Sequence, residues 1–150
     1  MTIMLDKKDN LILYELKKNS RQSTKKIATI TQIPRVTVHD RIKKMIKQGI
    51  IKKFSVIPDY EKIGLSCKVI IFVSFLPNAD VSQRELAKKI SKIKGIYEVE
   101  IISGEYDLLL KVRGDSLNEI GKLVIEKLRE TKGVGRTLTC ACFETIKEET

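Results

Sequence analysis

PRVTVHDRIKKMIKQG, residues 34–49, is the stretch of sequence that decides the predicted fold of the N-terminal third. Within it Val38, Ile42 and Met45 recur at i, i+4 and i+7, the spacing of one apolar helix face. Its first residue, a proline, suits the first position of a helix, where a missing N–H costs nothing, and its last, a glycine, suits a C-cap. We therefore expect an amphipathic helix whose outer face is polar and cationic.

Two further helices are predicted upstream of this stretch. Residues 6–19 carry apolar side chains at helical spacing, with acidic residues in the first turn. Ser23 is a suitable N-cap for a short second helix whose inner face holds Ile27 and Ala28. A tight connection then leads to the third helix, and this arrangement is the helix-turn-helix pattern.

The net charge of the chain is confined to this helical part. Residues 1–55 hold 14 Lys or Arg against 4 Asp or Glu, whereas residues 56–150 hold 15 of each, so the first third carries the whole net charge of +10. A lysine-rich thermophile surface would enrich both signs along the whole chain. A basic module attached to a neutral one indicates a polyanionic partner, with DNA, RNA and a membrane surface all open on charge alone.

The composition also indicates where the protein is located and whether it needs a cofactor. No apolar run approaches the length needed to span a bilayer, and the N-terminus has no signal-peptide pattern, so we expect a soluble, cytoplasmic protein that does not contact membranes. The three cysteines do not suggest a disulfide framework. Cys140 and Cys142 would share one face of a strand, and we expect them to be buried structural thiols. No cofactor or metal is expected.

The second half has a different predicted architecture. Residues 50–57 form an extended segment, either a short wing strand or a tether, and residues 58–65 resemble a hinge. The segments that follow alternate as strand 67–76, a helix to about 92, strand 96–102, hairpin turn 103–105, strand 106–112, a helix to about 130 and strand 134–143. The first of these helices can be capped by Asp80 or Ser82, and the second by Asp115 or Ser116. This βαββαβ order is that of a ferredoxin-like domain. The predicted fold class is α+β, with a helix-turn-helix (winged-helix-like) domain at 1–50, a linker at 51–65 and a ferredoxin-like domain at 66–150.

The outer face of the third helix supplies candidate DNA contacts. A recognition helix presents mainly its N-terminal residues to base edges. Bidentate donation to guanine suits an arginine there, and contact with a thymine methyl suits a valine. The base-edge candidates are Arg35, Val36, Thr37 and His39. Phosphate contacts, which position the protein without reading sequence, are expected from Arg41, Lys43, Lys44 and Lys47, and from Arg21, Ser23 and Lys25 at the start of the second helix.

The sequence resembles the Lrp/AsnC family of prokaryotic transcription regulators over nearly its whole length. The matching stretches are Leu5-Asp6-x-x-Asp9 with Ile12-Leu13, then Ile27-Ala28, Ile33-Pro34-x-x-Thr37-Val38-x-x-Arg41-Ile42-Lys43-Lys44-Met45, Gly49-Ile50-Ile51-Lys52, Pro58, Ile63-Gly64 and Gly104-Glu105-Tyr106-Asp107. The chain departs from the family pattern where Val36 replaces a frequent Ser, Ile46 a usual Glu and Glu105 the commoner Asp. The lysine and isoleucine content suggests an archaeal source.

The resemblance implies a mechanism. The second domain would dimerise through its sheets, and dimers would assemble further into tetramers or octamers that read pseudo-palindromic sites in double-stranded DNA. An amino acid would bind as effector between dimers, near the hairpin that contains Gly104-Glu105-Tyr106-Asp107. By residue matching, the effector candidates are Ser103, Gly104, Glu105, Tyr106 and Asp107, with Thr137 and Thr139 on the last strand. The alternative is that Gly104 only permits the turn and Asp107 only hydrogen-bonds its backbone.

Three other functions compete with gene regulation. Decarboxylases of the tetrapyrrole pathway are built from the same two domains, but residues 56–150 contain no His and their arginines form no evident motif, so we expect no enzymatic activity. An architectural protein that coats DNA without an effector is the stronger rival. An amino-acid sensor that never binds DNA is disfavoured by the basic first third.

Overall fold

The computed structural model describes residues 4–77 and 80–147. The chain divides into two units, Met1–Ile57 and Pro58–Glu149, and each has its own apolar core. The division lies within the predicted linker of residues 51–65. None of the helices in the described part of the chain has the length and apolar character needed to cross a membrane.

The first helix, α1, spans Lys7–Lys18 and begins with a capping box. The Asp6 carboxylate accepts a hydrogen bond from the Asp9 N–H, and the Asp9 carboxylate accepts one from the Asp6 N–H. These bonds satisfy amide groups that have no partner within the helix. Ile12 and Leu16, four residues apart, are buried on its inner face, as their spacing predicts.

The next two helices, α2 (Thr24–Thr31) and α3 (Arg35–Lys47), form the predicted helix-turn-helix. The Ser23 hydroxyl caps α2 by accepting a hydrogen bond from the Lys26 N–H. The turn reverses at Gln32, which has a left-handed backbone with φ of 56°. The helix predicted over residues 34–49 is therefore present.

Pro34 lies one position earlier than predicted. It is the N-cap of α3 rather than its first residue, because its ψ of 137° is not helical. Its carbonyl accepts the first helical hydrogen bond, from the Val38 N–H at 3.0 Å. The missing N–H still costs nothing at this position. Gly49, with φ of 72°, follows the helix as predicted.

The core of the first unit gathers apolar residues from all three helices and the chain beyond them. Its buried members are Ile12, Leu16, Ile27, Ile33, Val38, Met45 and Ile51, with Leu5, Leu13, Ala28, Ile42 and Ile50 packed against them. Of the two forms predicted for residues 50–57, the wing strand is not present: residues 52–59 form no helix or strand. Most of their side chains are exposed, so the segment connects the units without completing a sheet.

The second unit is built on a four-stranded antiparallel sheet. Its strands are β1 (Cys67–Phe75), β2 (Ile96–Ile101), β3 (Leu108–Gly114) and β4 (Val134–Ala141), in the spatial order β2-β3-β1-β4. The two central strands are β3 and β1, and β3 pairs with β2 as its predicted hairpin partner. With a helix after β1 and another after β3, this is the predicted ferredoxin-like arrangement.

Helices cover one face of this sheet. α4 (Gln83–Ile90) and α5 (Leu117–Leu123) are capped by Ser82 and Ser116, in each case one of the two predicted candidates, and a π-helical turn, Val124–Leu128, continues α5. The helices and the sheet share one core: Leu86, Ile90, Ile120, Val124 and Leu128 pack with Val69, Ile71, Val73, Leu108, Leu110 and Val112. The alternate side chains of β1, among them Ile70 and Phe72, therefore point to the helix-free face.

Two predictions about the second unit need correction. The strand predicted at 106–112 is β3 at Leu108–Gly114, because Tyr106 and Asp107 belong to the turn. The cysteines are not buried: Cys140 is exposed, and Cys67 and Cys142 are half-buried. Cys140 lies in β4, which is an edge strand, and Cys142 follows the end of that strand. Across the described ranges, no group of His, Cys, Asp and Glu could hold a metal ion.

Candidate DNA interface and effector site

The outer face of α3 is exposed and cationic. Val38 and Met45 are buried, which fixes the orientation of the helix in the first unit. On the other side Arg35, Val36 and His39 are exposed, Val36 to 71%, whereas Thr37 is only half-buried and lies nearer the core. A valine so exposed contributes nothing to the core, so its side chain is available for a partner. The four base-edge candidates are thus brought together at the start of α3.

The Arg35 side chain connects the starts of the two helices of the motif. Its Nε donates a hydrogen bond to the Thr24 Oγ1 at 3.3 Å, which links the first turns of α3 and α2. The remainder of the guanidinium is exposed. Thr24 is a contact that sequence reasoning missed, because nothing in the spacing of two residues eleven apart shows that they meet across a turn.

The phosphate candidates form two groups. Lys43, Lys44 and Lys47 are exposed along α3. Arg21 and Lys25 are exposed at the start of α2, next to the Ser23 cap. Ser23 itself already accepts the Lys26 N–H, so its hydroxyl proton is what it can offer a phosphate. A helix N-terminus also attracts anions through its unpaired N–H groups.

Arg41 is placed differently from the other candidates. Its Nη1 donates to the Asp6 Oδ2 at 2.6 Å and to the Asp9 Oδ1 at 2.8 Å, so it bridges α3 to the capping box of α1. Its side chain is 25% exposed. The same guanidinium holds the pKa of the Asp6 carboxyl below its ordinary value, chiefly through the hydrogen bond between the side chains. Arg41 is therefore engaged inside the unit, and we remove it from the phosphate-contact set.

The second candidate site is the hairpin between β2 and β3. Ile101 pairs with Leu108, and the Ile102 N–H donates to the Asp107 carbonyl at 2.9 Å, which closes the loop formed by residues 103–106. Gly104 has φ of 131°, a conformation that side-chain-bearing residues rarely adopt. The turn predicted from Ser103-Gly104-Glu105 is therefore confirmed.

Asp107 is committed to the structure of the sheet. Its Oδ2 accepts the Phe75 N–H at 2.7 Å, and its Oδ1 accepts the Gln83 side-chain amide at 3.0 Å. These bonds tie the hairpin to the end of β1 and the first residue of α4. Asp107 therefore has a structural role, but it differs from the alternative interpretation, because its side-chain partners belong to β1 and α4 and not to the backbone of its own turn.

Glu105 and Tyr106 face a residue of the last strand. The Arg136 Nη2 donates to the Glu105 Oε1 at 3.1 Å, and the guanidinium lies 5.7 Å from the centre of the Tyr106 ring. The Tyr106 ring in turn contacts Phe72, with ring centres 5.6 Å apart. Arg136 was missed as a site residue because its partner is 31 positions away in sequence, with two secondary-structure elements between them.

Thr137 and Thr139 lie on the other side of the sheet from Arg136. Thr137 pairs with Val73 and Thr139 with Ile71, and both of those partners are buried under the helices. Paired residues of adjacent strands point to the same face. The Thr137 Oγ1 accepts a hydrogen bond from the Arg129 Nε at 3.1 Å, so these threonines are not gathered with Glu105 and Tyr106.

Comparison with known families divides the chain in the same way. A winged helix-turn-helix DNA-binding model matches residues 5–52, and an Lrp/AsnC ligand binding domain model matches residues 68–150. The first match contains α1, α2 and α3, and the second contains the four strands except for Cys67, with the hairpin at 103–107 almost in its middle.

Relatives match over most or all of the chain. An HTH-type transcriptional regulator of Pyrococcus furiosus is 48% identical over 149 residues, covering 99% of both chains. The HTH-type transcriptional regulator LysM of Sulfurisphaera tokodaii is 37% identical over 130 residues, covering 87% of this chain and 89% of its own. Both relatives are archaeal.

Solved structures share the fold. LrpC of Bacillus subtilis has a TM-score of 0.85 at 26% identity and covers 97% of this chain and 99% of its own. A transcriptional regulator of Neisseria meningitidis, solved as an L-Met complex, has a TM-score of 0.91 at 24% identity and covers 98% and 95%. The similarity to the Neisseria structure is evidence for the fold only.

Proposed function

The chain belongs to the Lrp/AsnC family of DNA-binding transcription regulators, and from that premise we propose that α3 reads a pseudo-palindromic promoter site while an amino acid at the 103–107 hairpin modulates binding. The observation that carries the proposal is the exposed cationic face of α3. Its buried face packs in the first unit, so the opposite face is presented outward on a fixed helix.

Base reading is assigned to the start of α3. Arg35 donates to guanine O6 and N7, Val36 contacts a thymine methyl, and Thr37 and His39 reach neighbouring edges. Arg35 suits this role because one of its nitrogens is held by Thr24 while the remainder of the fork is exposed. A side chain held at one end loses less conformational freedom when it binds.

A second set of residues is assigned to contacts with DNA phosphates. We assign these contacts to Lys43, Lys44 and Lys47 on α3, and to Arg21, Ser23 and Lys25 at the N-terminus of α2. These residues fix the register of α3 in the groove without reading sequence. Arg41 is assigned a positioning role instead, since its ion pairs with Asp6 and Asp9 hold α3 against α1.

The proposed assembly is a two-fold dimer or a larger closed oligomer. Two-fold symmetry places two copies of α3 on half-sites about one helical turn apart, or a multiple of it, which is why the target is expected to be pseudo-palindromic. The helix-free face of the sheet, with Ile70 and Phe72 among its residues, supports association through the second unit.

The proposed effector site is the hairpin at 103–107. Amide groups at a glycine turn suit a carboxylate, and Glu105 suits an ammonium. One structural neighbour supports an amino acid, since the Neisseria regulator was solved as an L-Met complex. Asp107 supports the hairpin through Phe75 and Gln83. We do not assign Thr137 and Thr139 to the effector, because they lie on the opposite face of the sheet.

We propose that the protein is not an enzyme and that it acts on chromosomal DNA. Membership of a family of transcription regulators favours a role in binding rather than in chemistry. Because the target is chromosomal DNA, we propose a cytoplasmic location.

Selection of bound sequences from random duplex DNA tests the proposal directly. The full chain is used with and without a pool of amino acids, and the enriched site is then footprinted. We expect a discrete motif with two-fold symmetry, and a change in occupancy with one amino acid. Enrichment of no motif, together with broad protection along the duplex, would instead indicate an architectural coating protein.

A further inference from the structure

We propose that Arg136 determines which effectors this protein accepts: its guanidinium binds the carboxylate of a zwitterionic amino acid whose ammonium binds Glu105. The inference rests on the effector site proposed above and adds a residue from the last strand to it. The ligand class that it specifies is a free amino acid with both its α-ammonium and its α-carboxylate charged.

The first observation is the ion pair between the two side chains. Arg136 and Glu105 meet at 3.1 Å, yet their side chains are 70% and 71% exposed. Such an exposed pair stabilises a fold only slightly, because water screens both charges. A zwitterion that enters between them replaces one ion pair with two, so the pair opens without leaving either charge unpartnered. Arg136 thus occupies, in the free protein, the place of the ligand's ammonium.

The second observation is a bulge that directs Arg136 towards the hairpin. Between the pairs Val73–Thr137 and Phe75–Val134, β1 contributes one residue, Ser74, whereas β4 contributes Gly135 and Arg136. An extra residue of this kind bends a strand and redirects a side chain, and bulges are common next to functional sites.

Ser74 holds this bulge in place. The Arg136 N–H donates to the Ser74 Oγ at 2.6 Å, and the same hydroxyl donates to the Arg136 carbonyl at 3.4 Å. A Cβ at Gly135 would lie 2.6 Å from the Ser74 Oγ and 3.0 Å from its carbonyl oxygen, so only glycine allows the strands to approach this closely. The backbone of Arg136 is therefore fixed on both sides.

The third observation is that the two carboxylates of the hairpin, Asp107 and Glu105, have different partners. Both oxygens of Asp107 accept hydrogen bonds from Phe75 and Gln83, so this carboxylate supports the sheet. Glu105 is the carboxylate of the hairpin that remains for an ammonium. Tyr106, whose ring lies beside Phe72 and under Arg136, provides an apolar surface for the α-carbon and side chain of the ligand.

Calorimetry on the full chain tests the assignment. Wild type is titrated with each common L-amino acid, and the tightest binder is compared with its carboxamide and with the amine left by removal of its carboxylate. We expect Arg136→Gln to weaken the amino acid about 10- to 100-fold, the usual effect of losing a charge-assisted hydrogen bond. The carboxamide and the amine should bind weakly to wild type and lose little more in the variant. Arg84→Gln, an exposed arginine on α4, is the matched control and should bind as wild type does.

A charge-exchanged variant separates ligand binding from support of the fold. Glu105→Arg with Arg136→Glu keeps an ion pair between the same positions, so a merely structural pair would leave affinity unchanged. Our assignment expects the loss to persist, because each ligand charge would then meet the wrong side chain.

The outcomes are distinguishable. If wild type binds an amino acid and Arg136→Gln or the exchanged variant binds it equally well, the assignment of Arg136 is overturned and the proposed effector response stands. If wild type binds none of the amino acids, the effector response and this assignment both fall, while DNA recognition by α3 is unaffected.

Discussion

Single side chains on α3 differ in what they are free to do. Arg35 and Lys44 are both exposed cations, but Arg35 lies in the first turn of α3 and Lys44 in its last turn. In the proposed complex the first turn reaches base edges and the last turn lies beside the backbone of the duplex. A guanidinium offers a planar fork for guanine, whereas an ammonium acts as a point charge. The two residues should therefore contribute differently to recognition.

Replacing Arg35 by Ala should relax base preference at one position of the site. The expected cost on the preferred sequence is about 1–3 kcal/mol, with a smaller loss on sequences that lack the guanine. Competition binding against a panel of single-base variants measures it. A loss of equal size on every sequence would assign Arg35 to the phosphates instead.

Replacing Lys44 by Ala should weaken binding to all sequences alike. The slope of log affinity against log salt should become shallower by about 1, because one fewer counterion is released. Affinity is measured at several salt concentrations on the preferred site and on an unrelated duplex. Lys88→Ala, an exposed lysine on α4, removes the same charge from the second unit and should change neither quantity.

At the scale of elements, the orientation of α3 depends on α1. The Arg41 side chain crosses from α3 to the capping box of α1 and contacts both of its carboxylates. The box therefore has two functions: it satisfies the first amides of α1, and it holds the recognition helix. Few other acidic groups exist in residues 1–55, which carry 14 basic residues and 4 acidic ones.

This bridge should make the first unit sensitive to acid. The pKa of Asp6 is lowered in the folded protein by Arg41, and that of Glu15 is lowered by Lys18. The contribution of these two carboxylates to the stability of the fold is therefore fully present above the pKa of the unfolded carboxyls, about pH 4. It is lost as the pH falls through their lower pKa values in the folded protein. Arg41→Gln should lower stability at neutral pH and flatten the acid limb of the curve.

Urea unfolding followed by circular dichroism, from pH 6 to pH 3, measures this dependence. Arg21→Gln is the matched control, since it removes the same charge from an exposed position outside the bridge. It should keep the acid dependence of wild type. An acid limb in Arg41→Gln as steep as that of wild type would show that the bridge does not produce it.

At the scale of the whole molecule, the two units separate attraction to DNA from response to a ligand. The charge excess belongs to the first 55 residues, and the remaining 95 residues are balanced. An even distribution would attract nucleic acid to the sheet as well, and would bring phosphate into competition for Arg136. Confining the excess to one unit is consistent with the proposed recognition of a small zwitterion by the second.

The salt dependence of DNA binding should reflect this separation. With Arg21, Lys25, Lys43, Lys44 and Lys47 as phosphate contacts, log affinity should fall against log salt with a slope of about −4 to −5 per bound chain. Fluorescence anisotropy with a labelled duplex across several salt concentrations measures the slope. A slope near zero would mean that contacts other than phosphate neutralisation dominate.

The helices, the strands and the hairpin follow from sequence because their signals are local. Val38 and Met45 recur at the helical period, Ser82 and Ser116 begin helices that they cap, and Gly104 permits the turn between two strands. Each depends on residues within a few positions of one another, so backbone geometry and side-chain period are sufficient to find them.

Partners far apart in sequence were decided only by tertiary packing. Arg41 meets Asp6 across 35 positions, and Arg136 meets Glu105 across 31, and neither pairing has a local pattern. A charged side chain on a helix or strand can face water, a ligand or a distant neighbour, and these choices cost similar free energy until the chain is folded. The sequence by itself therefore determined the two units and their elements, whereas the folded structure decided which cations are exposed, which form ion pairs within a unit, and which one lies beside the hairpin.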